Sequence, residues 1–316
     1  MFAQVVRIAH GAGLVKMGTL AVDGSKVKAN ASKLHAMNYG HMKAAEQKLR
    51  EEIARITGRA REIDAAEDQE FGPELRGDEV PEELKQRETR LTKIREAMQR
   101  LEAEQAAHDQ RERRGERQPR RLKRPNGIPP DKRQLNFTDP DSRLMKTANG
   151  SFEQCYNAQL AVDGAAQIIV AAGVTENAAD YAQLLPMEQQ ARNNTGVRAQ
   201  IVVADYGYRS EENFAALEQR GVDAYVAMGK ATSERARRRQ GIKGPCTRRM
   251  RRKLAGERGR RIFAARKAIV EPALGWIKNI LGFRSFSMRG LHKAVGEWCL
   301  VCAVINLLRM ATLTAA

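Results

Sequence analysis

The chain has 316 residues, enough for one large domain or two, and it carries a formal net charge of +17 with a pI near 10.0. So large a basic excess points to a polyanionic partner, with nucleic acid as the first candidate and an anionic membrane surface as the competitor. The only long apolar run, residues 298–308, is too short to span a bilayer and contains Asn306. Because residues 1–18 also lack a signal-peptide pattern, we expect a cytoplasmic, nucleoid-associated protein that binds no membrane.

The cysteine content excludes two common kinds of site. Four cysteines are too few for a disulfide framework in a chain of this length. Cys299 and Cys302 form a C-x-x-C, but no second cysteine pair or nearby histidine pair completes a zinc site. Core packing explains them better, since free cysteine is among the most buried residue types.

The first predicted elements are short. Residues 2–10 predict the end of a helix, and residues 19–23 predict a strand that ends at Asp23, a candidate metal ligand. Beyond the strand, Lys26 and Lys28 alternate with an apolar residue and predict an extended segment with a basic face.

Residues 41–124 are rich in Glu, Lys, Arg, Gln and Ala, and their apolar residues recur at heptad spacing. Breaks at residues 71–73 and 77–81 predict two helices folded back as an antiparallel hairpin. A solvated arm without chemistry is the favoured interpretation, and a dimerisation or DNA-clamping arm is the functional alternative. Residues 111–124 are crowded with arginine and predict a basic connector.

The next segment, residues 154–193, predicts two strands followed by a helix. Residues 154–162 and 167–174 predict two strands joined as a hairpin, in which we interpret Asp163 as a turn residue. Asp180 is placed to cap the helix predicted over residues 181–193.

Residues 201–204 are four consecutive β-branched or small apolar residues, typical of a strand buried on both faces. Asp205 follows at the carboxyl end of this strand, where open α/β sheets bind ligands. Gly207 permits a tight turn, and Ser210 is a good N-cap for the next helix. Two interpretations stay open here: Asp205 is the centre of an active site, or it only accepts hydrogen bonds from turn amides.

The C-terminal part is basic and helical. Residues 230–266 are crowded with Arg and Lys, and each one that meets a phosphate releases a counterion, so this segment is the leading DNA contact. Residues 262–308 have a helical period. Glu271 lies there, directly before Pro272, which should start or kink the helix. Lys278 follows on the same face as Glu271.

Without the helical insertion, the element order is β-β-β-α-β-α-β-α. This is the order of a ribonuclease-H-like α/β fold, a mixed sheet flanked by helices, here with a helical-hairpin insertion after the first strand. In that fold, carboxylates on the first strand, the fourth strand and the last helix meet at one edge of the sheet, and these are Asp23, Asp205 and Glu271. Three carboxylates at one point repel unless divalent cations lie between them, and hard oxygen ligands suit Mg²⁺ or Mn²⁺. Two such ions could activate a water or a 3′-hydroxyl against a phosphodiester.

From about residue 2 to residue 310, the sequence resembles the DDE transposases of bacterial insertion sequences. Each matching motif is weak alone, but together they are specific. The motifs are Val22-Asp23-Gly24-Ser25-Lys26-Val27-Lys28-Ala29-Asn30, Tyr156-Asn157-Ala158-Gln159, Val162-Asp163, Val203-Ala204-Asp205-Tyr206-Gly207-Tyr208, Arg266-Lys267-Ala268-Ile269-Val270-Glu271-Pro272, Trp276-Ile277-Lys278, Gly282-Phe283-Arg284-Ser285-Phe286, Arg289-Gly290 and Asn306-Leu307.

The resemblance implies a role for each matched residue. The two aspartates and the glutamate of the family correspond to Asp23, Asp205 and Glu271, which are therefore the expected catalytic and metal-binding residues. Arg266 and Lys278 are the implied phosphate contacts near the glutamate. In the family, these residues belong to a signature that begins with a tyrosine three residues before the arginine. This chain has Phe263 there, so any hydrogen bond from the phenol to DNA is lost. The remaining expected DNA contacts are Lys26, Lys28, Arg284 and Arg289.

The expected organisation has three parts. Residues 1–18 are a remnant of an N-terminal helical DNA-binding region, residues 19–40 and 132–310 form the catalytic domain, and residues 41–131 are the hairpin insertion with its basic connector. Family members usually carry a longer helical region ahead of the first aspartate, so we expect a chain truncated at its start.

The leading hypothesis is a DNA transposase that uses two Mg²⁺ or Mn²⁺ ions to cleave transposon ends and transfer the strands to target DNA, as a homodimer when active. The alternative is a catalytically impaired remnant that binds DNA or an intact transposase. A coiled-coil scaffold ranks last, because it accounts for residues 41–124 alone and leaves the three acids unexplained.

Overall fold

The computed structural model describes residues 1–71, 82–115, 125–229 and 244–314, with the backbone alone at residues 63–71 and 111–115. The chain divides into two compact units, Met1–Ala31 with Asp141–Ala316, and Ser32–Pro140. Two predicted basic segments lie partly outside the described residues: the connector at residues 116–124 and the first part of the DNA contact at residues 230–243.

The elements alternate between strands and helices. The strands are β1 (Thr19–Lys28), β2 (Ala36–Asn38), β3 (Gln134–Asn136), β4 (Arg143–Lys146), β5 (Phe152–Asp163), β6 (Ile169–Thr175), β7 (Ile201–Ala204) and β8 (Asp223–Val226). The helices are α1 (Phe2–Gly11), α2 (Tyr39–Phe71), α3 (Glu82–Gly115), α4 (Leu184–Thr195), α5 (Glu211–Gln219), α6 (Pro245–Ala255), α7 (Glu257–Gly275) and α8 (Leu291–Thr314).

In the larger unit, six of the described strands form one mixed sheet in the order β4-β5-β1-β7-β8, with β6 also paired to β5. The central strand β1 runs antiparallel to β5 and parallel to β7. Apolar residues 20–22 and 202–204 of β1 and β7 are fully buried, as a strand covered on both faces requires. Helices α4 and α8 pack against β6, α7 packs against β1 and β5, and α5 packs against β8. The predicted ribonuclease-H-like α/β fold is therefore confirmed.

The predicted hairpin of β5 and β6 is also confirmed, and Asp163 is its turn residue. The Asp163 carboxylate accepts hydrogen bonds from the backbone N–H groups of Met17 at 2.8 Å and Ala165 at 3.1 Å. This side chain, fully buried, therefore joins the turn to the segment that leads into β1.

Helix α8 is anchored to the sheet by polar groups as well as by packing. Asn306, fully buried, accepts a hydrogen bond from Ile169 N and donates one to Ile169 O, each of 2.8 Å. Trp298 donates to the carbonyl of Gln159 at 2.9 Å, and Cys302 is buried in the same interface, as core packing predicts. By length and composition, α8 is the one helix among the described residues that could cross a membrane, a test that the core helix of a folded domain also passes.

Pro272 does not start a helix, which was one of the two outcomes predicted for it. It lies inside α7, which continues to Gly275 and then into a π turn over Trp276–Ile280. A proline removes the N–H that would bond the carbonyl four residues earlier, which is that of Ala268. Gln167 supplies the missing donor, with its Nε2 at 2.8 Å from Ala268 O. A contact from the β5–β6 turn thus satisfies the carbonyl that Pro272 leaves without a helical donor.

In the smaller unit, α2 and α3 pack side by side in opposite directions, as the heptad spacing predicts. Salt bridges join Glu52 to Arg87 at 3.1 Å and Glu46 to Arg95 at 2.9 Å, so the residue numbers fall on one helix as they rise on the other. Apolar residues including Met42, Ile94 and Leu101 are buried between them. The short strands β2 and β3 pair at the open end of this hairpin.

Candidate active site

Two of the three predicted acids meet on adjacent strands. Val22 of β1 pairs with Ala204 of β7 in parallel register, and Asp23 and Asp205 are the next residue of each chain segment. Parallel neighbours at the same level lie about 5 Å apart across the sheet. Asp205 thus lies at the carboxyl end of β7 with Asp23 beside it, as the sequence predicts.

Both carboxylates accept hydrogen bonds, Asp23 from its own strand and from α7, and Asp205 from the turn that follows it. Asp23 Oδ1 accepts a hydrogen bond from Gly24 N, and Asp23 Oδ2 accepts one from the guanidinium Nη1 of Arg266 on α7, both at 2.8 Å. Asp205 Oδ1 accepts a hydrogen bond from Gly207 N, also at 2.8 Å. Asp205 therefore binds a turn amide and also lies beside a second acid, so the interpretation as a turn residue alone is incomplete. Its role as the centre of an active site stays a prediction.

The environment of Asp205 disfavours its charged form. Burial raises the pKa of its carboxyl above the ordinary value, and the negative charges of Asp23 and Asp180 raise the pKa further. The hydrogen bond from Gly207 and the charge of Arg266 act in the opposite direction without cancelling the rise. The rise thus comes first from burial and second from neighbouring acids, and a cation bound at this point would oppose it.

A third carboxylate near this pair, Asp180, was not identified as a site residue from the sequence. It was expected to cap the following helix, but its side chain makes no cap hydrogen bond. Its Oδ1 instead accepts hydrogen bonds from Lys26 Nζ at 3.0 Å, Asn157 Nδ2 at 2.6 Å and Gln159 Nε2 at 2.9 Å. The prediction failed because capping is a local pattern, whereas all three donors lie on strands remote in sequence.

Glycines next to the two aspartates make room for Asp180. A Cβ built on Gly207 would lie 2.9 Å from Asp180 Oδ2 and 3.1 Å from Asp205 Oδ1. A Cβ on Gly24 would lie 3.1 Å from Asp180 Oδ1. The carboxylate of Asp180 therefore lies between the turn that carries Asp205 and the strand that carries Asp23.

Glu271 is not brought to the two aspartates. It lies on α7 five residues after Arg266, so the two side chains point about 140° apart around the helix axis. The face of α7 that carries Arg266 is buried against the sheet through Ile269, Val270 and Ala273. The Glu271 side chain is 59% exposed, and its nearest cation is Lys267 at 4.0 Å. The predicted convergence of three acids is therefore not what the structure shows, and a catalytic role for Glu271 stays a prediction.

The predicted DNA-binding cations are spread over several elements. Lys26 is bound to Asp180, and Arg266 is bound to Asp23. These two cations therefore belong to the carboxylate cluster, by which we mean Asp23, Asp180 and Asp205 with their bound cations. Lys28 lies 4.0 Å from Glu153 and is half exposed, whereas Lys278 is half-buried in the π turn. Arg284 and Arg289 are exposed, the first near Asn279 and the second donating to Asn30 O at 3.1 Å.

The carboxylate cluster fits a divalent ion in donor type but not in number. Carboxylate oxygens are the hard ligands that Mg²⁺ and Mn²⁺ prefer. Over the described parts of the chain, however, no group of three or more His, Cys, Asp or Glu side chains is arranged to hold a metal ion. Arg266 occupies Asp23 Oδ2, and Glu271 faces away. The predicted cage of three carboxylates around two ions is not formed in this arrangement.

Comparison with known proteins identifies the family of the chain. No curated protein matches the sequence. A family model described as the transposase DDE domain matches residues 106–307, more than half of the chain. The match covers Asp180, Asp205, Arg266 and Glu271, whereas Asp23 and Lys26 precede it. On this match and the mixed sheet that carries the acids, the chain belongs to the transposase DDE domain family, whose general function is DNA transposition.

Proposed function

We propose that the chain cleaves DNA at the ends of a mobile element and joins the freed 3′ ends to target DNA. The observation that carries this proposal is the pairing of Asp23 with Asp205 on adjacent parallel strands of the sheet. The family generally uses divalent metal ions, so Mg²⁺ or Mn²⁺ is the cofactor we propose, with Asp23, Asp205 and Glu271 as catalytic residues. When bound, such an ion would stabilise charge on the phosphodiester oxygens.

The DNA would lie along cations of the larger unit. Helix α6 exposes Arg248 and Arg252, and α7 begins with the exposed Arg258, Arg260 and Arg261. Contacts of this kind position a nucleic acid without reading its sequence, and they make affinity fall steeply with salt. We therefore expect binding to any duplex at low salt.

A nicking assay tests the proposal directly. The purified chain is incubated with supercoiled DNA that carries the element's ends, with Mg²⁺, Mn²⁺ or EDTA. Asp205→Asn is expected to reduce nicking about 10³-fold, since it removes charge from the centre of the site. Glu212→Gln is the matched control, because this exposed carboxylate lies seven residues away in the first turn of α5 and touches none of the cluster. Equal nicking by the wild type and Asp205→Asn, or nicking in EDTA, would refute the metal-carboxylate mechanism.

A second candidate is a catalytically impaired protein that binds DNA or an intact transposase. The salt bridge between Arg266 and Asp23 favours it, because this bridge occupies a carboxylate that a metal ion would need. DNA binding by the wild type and by Asp205→Asn with equal affinity, and nicking by neither, would select this reading. A homodimer on DNA and a cytoplasmic, nucleoid-associated location without membrane are parts of the same proposal, and sedimentation of the chain with and without DNA tests the dimer.

A further inference from the structure

Asp180 sits at the centre of a polar network that no residue pattern singles out. Its Oδ1 accepts three hydrogen bonds, and two of the donors, Asn157 and Gln159, are fully buried. Gln159 also accepts a hydrogen bond from the buried hydroxyl of Tyr208. Two buried amides on β5, one of them held in turn by Tyr208, therefore fix the position of this carboxylate.

The register of the sheet explains why Lys26 binds Asp180 and not Asp23, the partner of Arg266. Lys26 of β1 pairs with Asn157 of β5. Two residues further along, Gly24 pairs with Gln159 on the same face. Side chains alternate between faces along a strand, so Lys26 lies on the face of Asn157 and Gln159, whereas Asp23 lies on the other face.

The geometry leaves Lys26 available to a ligand at this point. Its side chain is 21% exposed, and its ammonium carries three N–H donors, of which one is directed to Asp180. Asp180 Oδ2 approaches the turn of Asp205, within 2.9 Å of the Cβ position of Gly207. The Lys26 ammonium is thus bound to a carboxylate that reaches the turn of Asp205, and it retains donors for an anion.

We propose that Asp180 is a positioning residue that holds the Lys26 ammonium near the turn that carries Asp205, where it receives a phosphate of the bound DNA strand. The inference rests on the proposed function in taking DNA as the ligand. Without Asp180, the flexible lysine stem would sample many rotamers, and Lys26 would contribute little to a phosphate contact.

The test is a double-mutant cycle on DNA affinity, because coupling separates positioning from a purely structural network. A labelled short duplex with the element's end sequence is titrated at low salt with the full-length wild type, Lys26→Gln, Asp180→Asn and the double variant. Lys26→Gln is expected to weaken binding about fivefold in the wild-type background, as loss of one phosphate contact does. In the Asp180→Asn background, the same change is expected to cost less than about twofold.

A second lysine–carboxylate pair, whose lysine lies on the same strand, is the matched control. Lys28 lies on the same face of β1 and is 53% exposed, with Glu153 4.0 Å away. The cost of Lys28→Gln should be the same with and without Glu153→Gln, since so long and exposed a pair does not position the lysine. If Asp180→Asn fails to fold, Asp180→Ser replaces it, because serine removes the charge and adds no bulk.

Two outcomes overturn the inference: an equal cost of Lys26→Gln in both backgrounds, or no cost in the wild type. The cycle needs no cleavage, so it stays readable if the wild type does not nick DNA and the proposed function fails. Conversely, a chain that nicks DNA but shows additive effects of Lys26→Gln and Asp180→Asn refutes the positioning role alone.

Discussion

Arg266 and Asp23, 243 residues apart in sequence, form a salt bridge of 2.8 Å between Nη1 and Oδ2. The side chains are 13% and 18% exposed, so solvent screens the pair only in part. The bridge joins α7 to the central strand and gives Asp23 a counter-ion within the chain itself. For the role implied by resemblance, a phosphate contact, Arg266 therefore has only the guanidinium N–H donors that Asp23 does not use.

The first prediction concerns the stability of this bridge. Arg266→Gln is expected to lower the free energy of unfolding by about 1–3 kcal/mol, because it leaves a partly buried carboxylate without its cation. Urea denaturation measures the change. Lys267→Gln is the control, since the pair with Glu271 is exposed and long, and it should stay within about 0.5 kcal/mol of the wild type. If Asp23→Asn and Arg266→Gln add in the double variant, the bridge contributes no coupling.

The second prediction separates catalysis from structure at Glu271. Its side chain is 59% exposed and 4.0 Å from the nearest cation, so Glu271→Gln should leave the unfolding curve unchanged. We expect the same variant to lose nicking activity at least about a hundredfold, in line with the role that the family resemblance implies. Wild-type nicking by a folded Glu271→Gln variant would remove Glu271 from the catalytic set and leave the acids around Asp205 as the site.

The sequence predicts the sheet better than the site. Apolar runs such as residues 201–204 identify buried strands, because a strand buried on both faces needs consecutive apolar residues. The turn at Asp163 is likewise indicated by the residues next to it in sequence. Asp23 and Asp205 were found because each ends an apolar run. Their pairing then follows from parallel strand order.

Two features of the site could not be predicted from the sequence: which face of α7 packs on the sheet, and which residues bind Asp180. The position of Glu271 in the chain is unremarkable, but the face of α7 that packs on the sheet is set by Ile269, Val270 and Ala273, and that face carries Arg266 instead. Asp180 has an ordinary capping pattern, and its three partners come from β1 and β5. Only the folded arrangement distinguishes these alternatives.

The third prediction concerns the close approach at Gly207. Gly207→Ala would place a Cβ 2.9 Å from Asp180 Oδ2 and 3.1 Å from Asp205 Oδ1, so both carboxylates must move. We expect a loss of about 1–3 kcal/mol in stability, as overpacking of a closed site gives, together with reduced nicking. Gly296→Ala in α8 has nothing within 4 Å of its new Cβ and should stabilise the chain by about 0.5–1 kcal/mol. Thermal unfolding of the two variants should therefore shift in opposite directions.

The fourth prediction is a pH dependence from Glu211. Burial alone would raise the pKa of this carboxyl, but hydrogen bonds from Thr247 Oγ1, Thr247 N and Cys246 N at the start of α6 lower the pKa to about 2 from an ordinary 4.5. The folded state then binds fewer protons than the unfolded state between these values. Stability from Glu211 is therefore complete above about pH 4.5 and is lost as the pH falls towards about 2.

Urea midpoints measured from pH 6 downward test this dependence. Glu211→Gln removes the titrating group, so its stability should fall less steeply over the acid range, after a loss of about 1–2 kcal/mol at neutral pH from the weakened cap of α6. Thr247→Val, which deletes one of the three donors, should give an intermediate slope. Parallel curves for the wild type and Glu211→Gln would show that other carboxyls carry the acid sensitivity.

The last prediction concerns Asn306, whose amide bonds both the N–H and the carbonyl of Ile169 from inside an apolar helix. Asn306→Leu has nearly the same size but leaves both backbone groups of β6 buried and without this partner, so we expect a loss of about 2–4 kcal/mol. Asn306→Asp keeps the acceptor and loses the donor, and should be destabilised as well because it buries a charge. Leu307→Ala is the control, since this side chain is 50% exposed on the same helix and should change stability by less than about 1 kcal/mol. Urea denaturation of the three variants decides the matter: if Asn306→Leu is as stable as the wild type, the Asn306 amide contributes nothing to holding α8 on the sheet.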